Sequence, residues 1–327
     1  MIATAVRLDP DVEVVDDDKG RIVLLPRDNR DPVRLAAHDR PLVEHLCEGT
    51  FDMEGRGAGV RLSDCQRGRF SAIAVALDRA GLLAGRSVPP SCRIVRFPAL
   101  ARAFDAVAAS LTRPLVALLP VRARGVLLQT LSAGTVLALA ALWCANGGRM
   151  FAEVLTPYWW VGVVLFLVVF PPVHEFSHAL AGRLFGLSVT AVGAQSRGGL
   201  SWSPFVEVRR AVLSSDPVVR IWIPLVGVVC NLLLTLLASL WIWSATPGSA
   251  VAGIASVVVA LLHVRVLIDG GLGSRSDASQ ALHIADELLS TIQARWLRRV
   301  VRSGYVLFML CTLCMIALSF DAYRIAP

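Results

Sequence analysis

Histidine is scarce, with six in 327 residues. That is too few for the histidine-rich clusters of membrane di-iron desaturases and hydroxylases, and that enzyme class drops out. Lysine is all but absent, Lys19 being the only one. The net charge of +7 therefore comes almost wholly from arginine. The arginines gather at the edges of apolar runs, so they read as topology signals rather than as a nucleic-acid surface. The seven cysteines (Cys47, Cys65, Cys92, Cys144, Cys230, Cys311, Cys314) are scattered, and no pair has the context of a disulfide framework or a zinc knuckle. Cys311 and Cys314 have CxxC spacing but lie inside an apolar run, where they read as small packing residues. No Gly-rich phosphate loop or nucleophile elbow occurs. The opening residues, MIATAVRLDPDVEVVDDD, lack an apolar core long enough for a cleavable signal peptide.

What is present is apolar. The hydrophobic share is 55% and the mean hydropathy +0.61, above the ~45–50% apolar content of ordinary soluble chains. These values mark a membrane protein. The chain is organised around PPVHEFSHALAGRLFG, Pro171 to Gly186, at the end of an apolar run that starts near Tyr158. His174 and His178 stand four residues apart, so on a helix their imidazoles share one face with Cβ atoms roughly 5–6 Å apart. That spacing lets two nitrogens bind one tetrahedral zinc. Glu175 sits beside them as a candidate general base for a metal-activated water. Ionisable residues in an apolar span are expensive to insert, which makes the trio a functional signal.

The segment VHEFSHALAGRLFG resembles the HExxH helix of the site-2 protease family of intramembrane zinc metalloproteases. The likeness is strongest to the bacterial peptide zinc metalloprotease branch, which carries an amino-terminal PqqD-like domain. The similarity in pattern covers most of the chain, but only HExxH and a later Asp-Gly are specific. It implies a zinc endopeptidase with Glu175 as base and His174, His178 and Asp269 as ligands. Asp269 lies in LIDGG (Leu267 to Gly271), similar to the family's Leu-Asp-Gly; its competing reading is that it only caps the span or pairs with Arg265. The chain departs from the family just upstream, where His263, Val264 and Arg265 replace the usual asparagine and proline. His263 is then either a replacement substrate clamp or a packing residue. Asp277 is the competing ligand, read instead as capping the helix that follows GLGSRS. His38 and His45 read as surface or packing residues, and His283 as an interfacial one.

In chain order, residues 1–90 are soluble in character and predict strands at Val12 to Val15, Arg21 to Leu25 and Val33 to Ala36. Helices follow at Asp39 to Cys47 and Ser71 to Leu83. This order resembles a PqqD-like, winged-helix-like domain, which implies that an extended leader peptide adds to a sheet edge; a plain cytosolic cap is the competing reading. Residues 91–125 form a linker, broken by Pro89 and Pro90 just before it, and an amphipathic interfacial segment, Ala99 to Leu119. Residues 126–322 form the membrane domain. Its five spans are expected at about Val126 to Ala145, Tyr158 to Gly182, Ile221 to Trp243, Val251 to Ile268 and Ser303 to Phe320. The two prolines of the second span predict a kink, and Gly182 and Gly186 are spaced as a close-packing face. A hairpin is expected at Ser188 to Ala194 and Leu200 to Val208, turning at SRGG. Arg122, Arg124, the arginines of 183–220 and those of 295–302 fall on one side of five spans, against Arg149 and Arg324 on the other. The positive-inside rule then puts the amino terminus in the cytosol.

The expectation is thus an α-helical polytopic membrane protein with a small α+β amino-terminal domain, acting as a zinc metalloprotease in the cell membrane with its active site toward the cytosolic face. Its substrate would be a peptide or membrane-associated protein, in the maturation or export of a ribosomally made modified peptide. Lipid is its surroundings, and nucleic acid is excluded as a partner. A non-proteolytic scaffold or export partner that binds a leader peptide is the alternative.

Overall fold

The computed structural model describes residues 7–17, 20–26, 33–48, 52, 62–80, 82–84, 93–146, 157–196, 202–208, 211, 213–214, 216–271 and 276–325. Pro89, Pro90, Arg149 and the SRGG turn from residue 197 to 199 lie outside them. The chain divides into two compact units. One comprises Met1–Arg93 with Ser196–Ser201 and Val212–Ser215, and the other comprises the remainder.

The first unit holds an antiparallel sheet ordered β1 (Val12–Asp16), β2 (Ile22–Pro26), β3 (Val33–Leu35). Val14 faces Leu24, and Leu24 faces Val33. The central strand is buried along its whole length, which explains its unbroken IVLLP composition. Helices α1 (Arg40–Glu48) and α2 (Asp64–Arg79) supply Leu42, Leu46, Phe70 and Leu77 to a core shared with Ile22 and Leu24. Helix α2 begins seven residues before the expected Ser71. Its first turns are polar and carry no apolar periodicity, but Ser63 caps them, accepting from Gln66 N at 3.3 Å while Gln66 Oε1 accepts from Ser63 N at 3.0 Å.

In the second unit, four helices among the described residues are long and apolar enough to cross a membrane: α4 (Val121–Asn146), α5 (Trp159–Leu184), α6 (Pro217–Ser244) and α7 (Ala250–Asp269). The expected fifth span falls inside α9 (Thr291–Ile325), a continuous helix that is not among those four. Helix α5 runs unbroken through Pro171 and Pro172. Gly182 packs as expected, since a Cβ there would meet Val208 Cγ1 at 2.9 Å. Gly186 does not: it has φ +80° and open space around it, so it ends the helix by taking the left-handed conformation.

Two contacts hold the end of α5. Helix α3 (Pro98–Leu118) presents Asp105, which pairs with Arg183 and accepts from Val189 N at 2.8 Å. Buried Arg124 donates to Val116 O (2.8 Å), Leu119 O (2.8 Å) and Leu184 O (2.7 Å). One cation thus satisfies the carboxyl ends of two helices, where their dipoles favour it. The hairpin β5 (Ala191–Ser196) and β6 (Trp202–Glu207) forms as expected. It gains a third strand, β4 (Arg93–Arg96), from the segment read as a linker.

Within the first unit, Asp39 is buried and accepts from both Arg69 Nε and Nη2, the latter at 3.1 Å. The Arg69 guanidinium holds the Asp39 carboxyl below the ordinary carboxylate range. A carboxyl depressed on folding stabilises the fold above its unfolded pKa, near ~3.9, and stops doing so as pH falls through the lower folded value. Arg69→Ala should therefore lower hydrogen-exchange protection across α2 at neutral pH, by a modest amount because the guanidinium is half exposed. The deficit should shrink as the pH drops below ~4. Equal protection in variant and native protein at pH 7 would show that the pair contributes nothing.

Candidate metal centre

On α5, the four-residue spacing brings the His174 and His178 rings to 5.1 Å between centroids, inclined at 80°. Both are buried. His178 Nδ1 lies 2.8 Å from the carbonyl of Ile223 on α6. A carbonyl only accepts, so Nδ1 carries the proton and Nε2 is left with its lone pair. His174 Nδ1 lies 3.1 Å from Oδ1 of Asn231, whose Nδ2 donates to Asp269 Oδ2 at 2.7 Å. A carboxylate also only accepts, which orients the Asn231 amide and again places the proton on Nδ1.

Both Nε2 atoms point at one carboxylate oxygen. Asp277 Oδ2 is 3.3 Å from His174 Nε2 and 3.6 Å from His178 Nε2. It is buried and has no hydrogen-bond partner. Among the described residues, His174, His178 and Asp277 form the one group whose donor atoms could hold a metal ion, all within 4.8 Å of one another. Three lone-pair atoms turned toward a common point repel one another unless a cation lies between them. Ligands at about 2.0–2.1 Å from a tetrahedral zinc stand roughly 3.3–3.4 Å apart, close to the two distances seen. The centre also depends on a missing side chain: a Cβ on Gly227 of α6 would strike Asp277 Oδ2, and would meet His174 Cε1 at 2.7 Å and His178 Cε1 at 2.9 Å. Two imidazoles and a carboxylate suit a divalent metal ion.

The carboxylate that meets both Nε2 atoms is therefore Asp277 and not the expected Asp269. Asp269 stands 3.8 Å from His174, on its Nδ1 side, and its Oδ2 is engaged by Asn231 and, at 2.6 Å, by Arg265 Nε. Asp277 does not cap α8 (Asp277–Leu288), because Ser276 does: its Oγ accepts from Ser279 N at 3.1 Å and donates to Gly271 O. With the cap supplied by its neighbour, Asp277 takes the first helical position and its carboxylate turns to the histidines. Ala281 and Ala285 let α8 lie close on Ile221 of α6 and aim this terminus at Gly227.

Glu175 is outside the ligand group, and its Oε2 accepts from Val206 N of β6 at 3.0 Å. His263 donates Nδ1 to Val259 O at 2.7 Å and lies between Trp143 and Phe308, at 5.0 and 5.3 Å between centroids. These are the contacts that the packing alternative expects. Sequence reasoning missed Asn231 and Gly227. Asn231 did carry a signal, as a lone amide inside an apolar span.

Purified protein should bind about one divalent ion per chain, measured by elemental analysis. Asp277→Asn should reduce that to background, and so should Gly227→Ala, which leaves every ligand in place but fills the space between them. Full metal content in Gly227→Ala would refute this placement of the ion. The chain matches no family model, no curated protein and no solved structure, so the assignment of the centre rests on its own geometry.

Proposed function

We propose that the chain is an integral-membrane zinc metalloprotease of the site-2 protease type. The observation that carries the reading is an HExxH pair on an apolar helix, joined by Asp277 and by no fourth protein ligand among the described residues. An N₂O donor set with an open position suits zinc. When bound there, such an ion polarises a carbonyl and brings the pKa of a water toward ~7.

The remaining work falls to side chains. Glu175 adjoins His174 in sequence without ligating, and the Val206 amide fixes its carboxylate. It accepts the proton of the attacking water and later delivers it to the leaving amine. His178 and His174 keep Nε2 free because their Nδ1 protons are held by Ile223 O and Asn231. The apolar helices around them limit access to bulk water. The first unit would retain the substrate: β1 and β3 each pair on one side only among the described strands, leaving an edge for an extended leader peptide. With α9 as a fifth span, the arginine distribution puts the amino terminus in the cytosol.

Glu175→Gln should keep the metal and lower cleavage of a cognate peptide by about 10²–10⁴-fold. Native cleavage by this variant would exclude the mechanism, and metal binding with no cleavage of any precursor encoded nearby would favour a scaffold. Removing residues 1–90 should raise KM for a leader-bearing substrate more than it lowers kcat, as expected when uniform binding is lost. An unchanged KM would make that unit a structural cap.

A further inference from the structure

The polar chain behind His174 is more than the ion centre needs for its ligands. It runs from Arg265 Nε to Asp269 Oδ2 (2.6 Å), from Asn231 Nδ2 to the same oxygen (2.7 Å), and from Asn231 Oδ1 to His174 Nδ1 (3.1 Å). It crosses from α7 through α6 to α5. His174, Asn231 and Asp269 are all buried, with Asn231 only 1% exposed. Ionisable and amide groups at such a place are costly unless each is engaged, and here each is. Thr235 Oγ1 also donates to Asn231 O at 2.7 Å, holding the side chain of the next turn against the same residue.

We infer that Asn231 and Asp269 are positioning residues for the ion centre, acting through His174, an inference that rests on the metal-site reading above. The donor directions admit one arrangement. The Asp269 carboxylate accepts from the Asn231 amide and polarises it, and the amide oxygen thereby becomes a stronger acceptor for the His174 Nδ1 proton. That locks the ring in one tautomer and one rotation and makes Nε2 the better donor to a cation, as carboxylates behind metal-bound histidines do. Here an amide is interposed between carboxylate and ring. Arg265 balances the carboxylate at the far end, and together with Asn231 it holds Oδ2 on the Nδ1 side of His174, away from the ligand set. His178 has only a backbone carbonyl in the equivalent place, so the tunable half of the centre is His174. A conserved shape with altered charge at residue 269 should therefore weaken the ion's hold without changing which atoms bind it.

The test measures zinc affinity by competition with a chromophoric chelator, and coordination by the visible absorption of the cobalt(II)-loaded protein. Asn231→Ala should raise the zinc dissociation constant by about 10–100-fold. Asp269→Asn, nearly isosteric and hence the safer variant for folding, should raise it by roughly tenfold, since the new amide still accepts from Asn231 but without charge. Both should keep the native cobalt absorption bands, whereas Asp277→Asn should lose the metal. Affinities within twofold of native in both variants would overturn the inference and leave the pair a helix-packing contact. Loss of metal in Asp269→Asn as complete as in Asp277→Asn would overturn it the other way, making Asp269 a ligand. Absence of metal from the native protein would instead remove the centre itself, a failure distinguishable from that of the relay alone.

Discussion

Three acceptor atoms converge on one buried point, and the membrane unit is arranged to tolerate that convergence. Two imidazole nitrogens and a carboxylate oxygen without a hydrogen-bond partner, at 3.3 and 3.6 Å, are unfavourable without a cation and favourable with one. Both histidine Nδ1 protons are directed away, to Ile223 O and Asn231 Oδ1. The polar groups behind the centre are matched donor to acceptor, which is the condition for burying them in an apolar bundle.

Close helix approach is the second requirement, met by small residues. A Cβ on Gly162 of α5 would stand 2.9 Å from Ile254 O of α7, and one on Gly125 of α4 would stand 2.7 Å from Val218 Cγ1 of α6. In lipid, apolar side chains gain little by leaving one apolar surroundings for another, so such backbone contact and its dispersion energy hold helices together. Gly227 belongs to this pattern but serves the centre, since the volume that it leaves lies between the ligands rather than between two helices. Around the same end of α5, Arg124 and the Asp105–Arg183 pair fix the carboxyl end of the helix. The histidines, roughly two and three turns earlier, thus sit on a helix restrained at its exit.

Local chemistry made much of this legible. The apolar runs lay where α4 to α7 form, and the hairpin lay where β5 and β6 form. The HExxH spacing placed both imidazoles on one face. The end of α7 reaches α5 at the histidines, where Asp269 lies 3.8 Å from His174. The start of α2 and the strand β4 were missed for a shared reason. Neither shows in periodicity: the start of α2 is signalled by its cap, Ser63 with Gln66, and β4 by a pairing partner distant in the chain.

By itself, the sequence determined the apolar helices, the pair of histidines and the glutamate beside them, because hydrophobic period and residue spacing are properties of one segment. Only the tertiary structure decided which carboxylate completes the centre. Asp269 and Asp277 are eight residues apart, and both precede or begin a helix end, so nothing local separates them. The choice falls to Asp277 because Ser276 takes the cap, Ala281 and Ala285 let α8 lie against α6, and Gly227 leaves room there. Asp269 is meanwhile engaged by Arg265 and by Asn231, a residue thirty-eight positions away. These are contacts between segments distant in the chain, and their geometry exists only once the helices have packed.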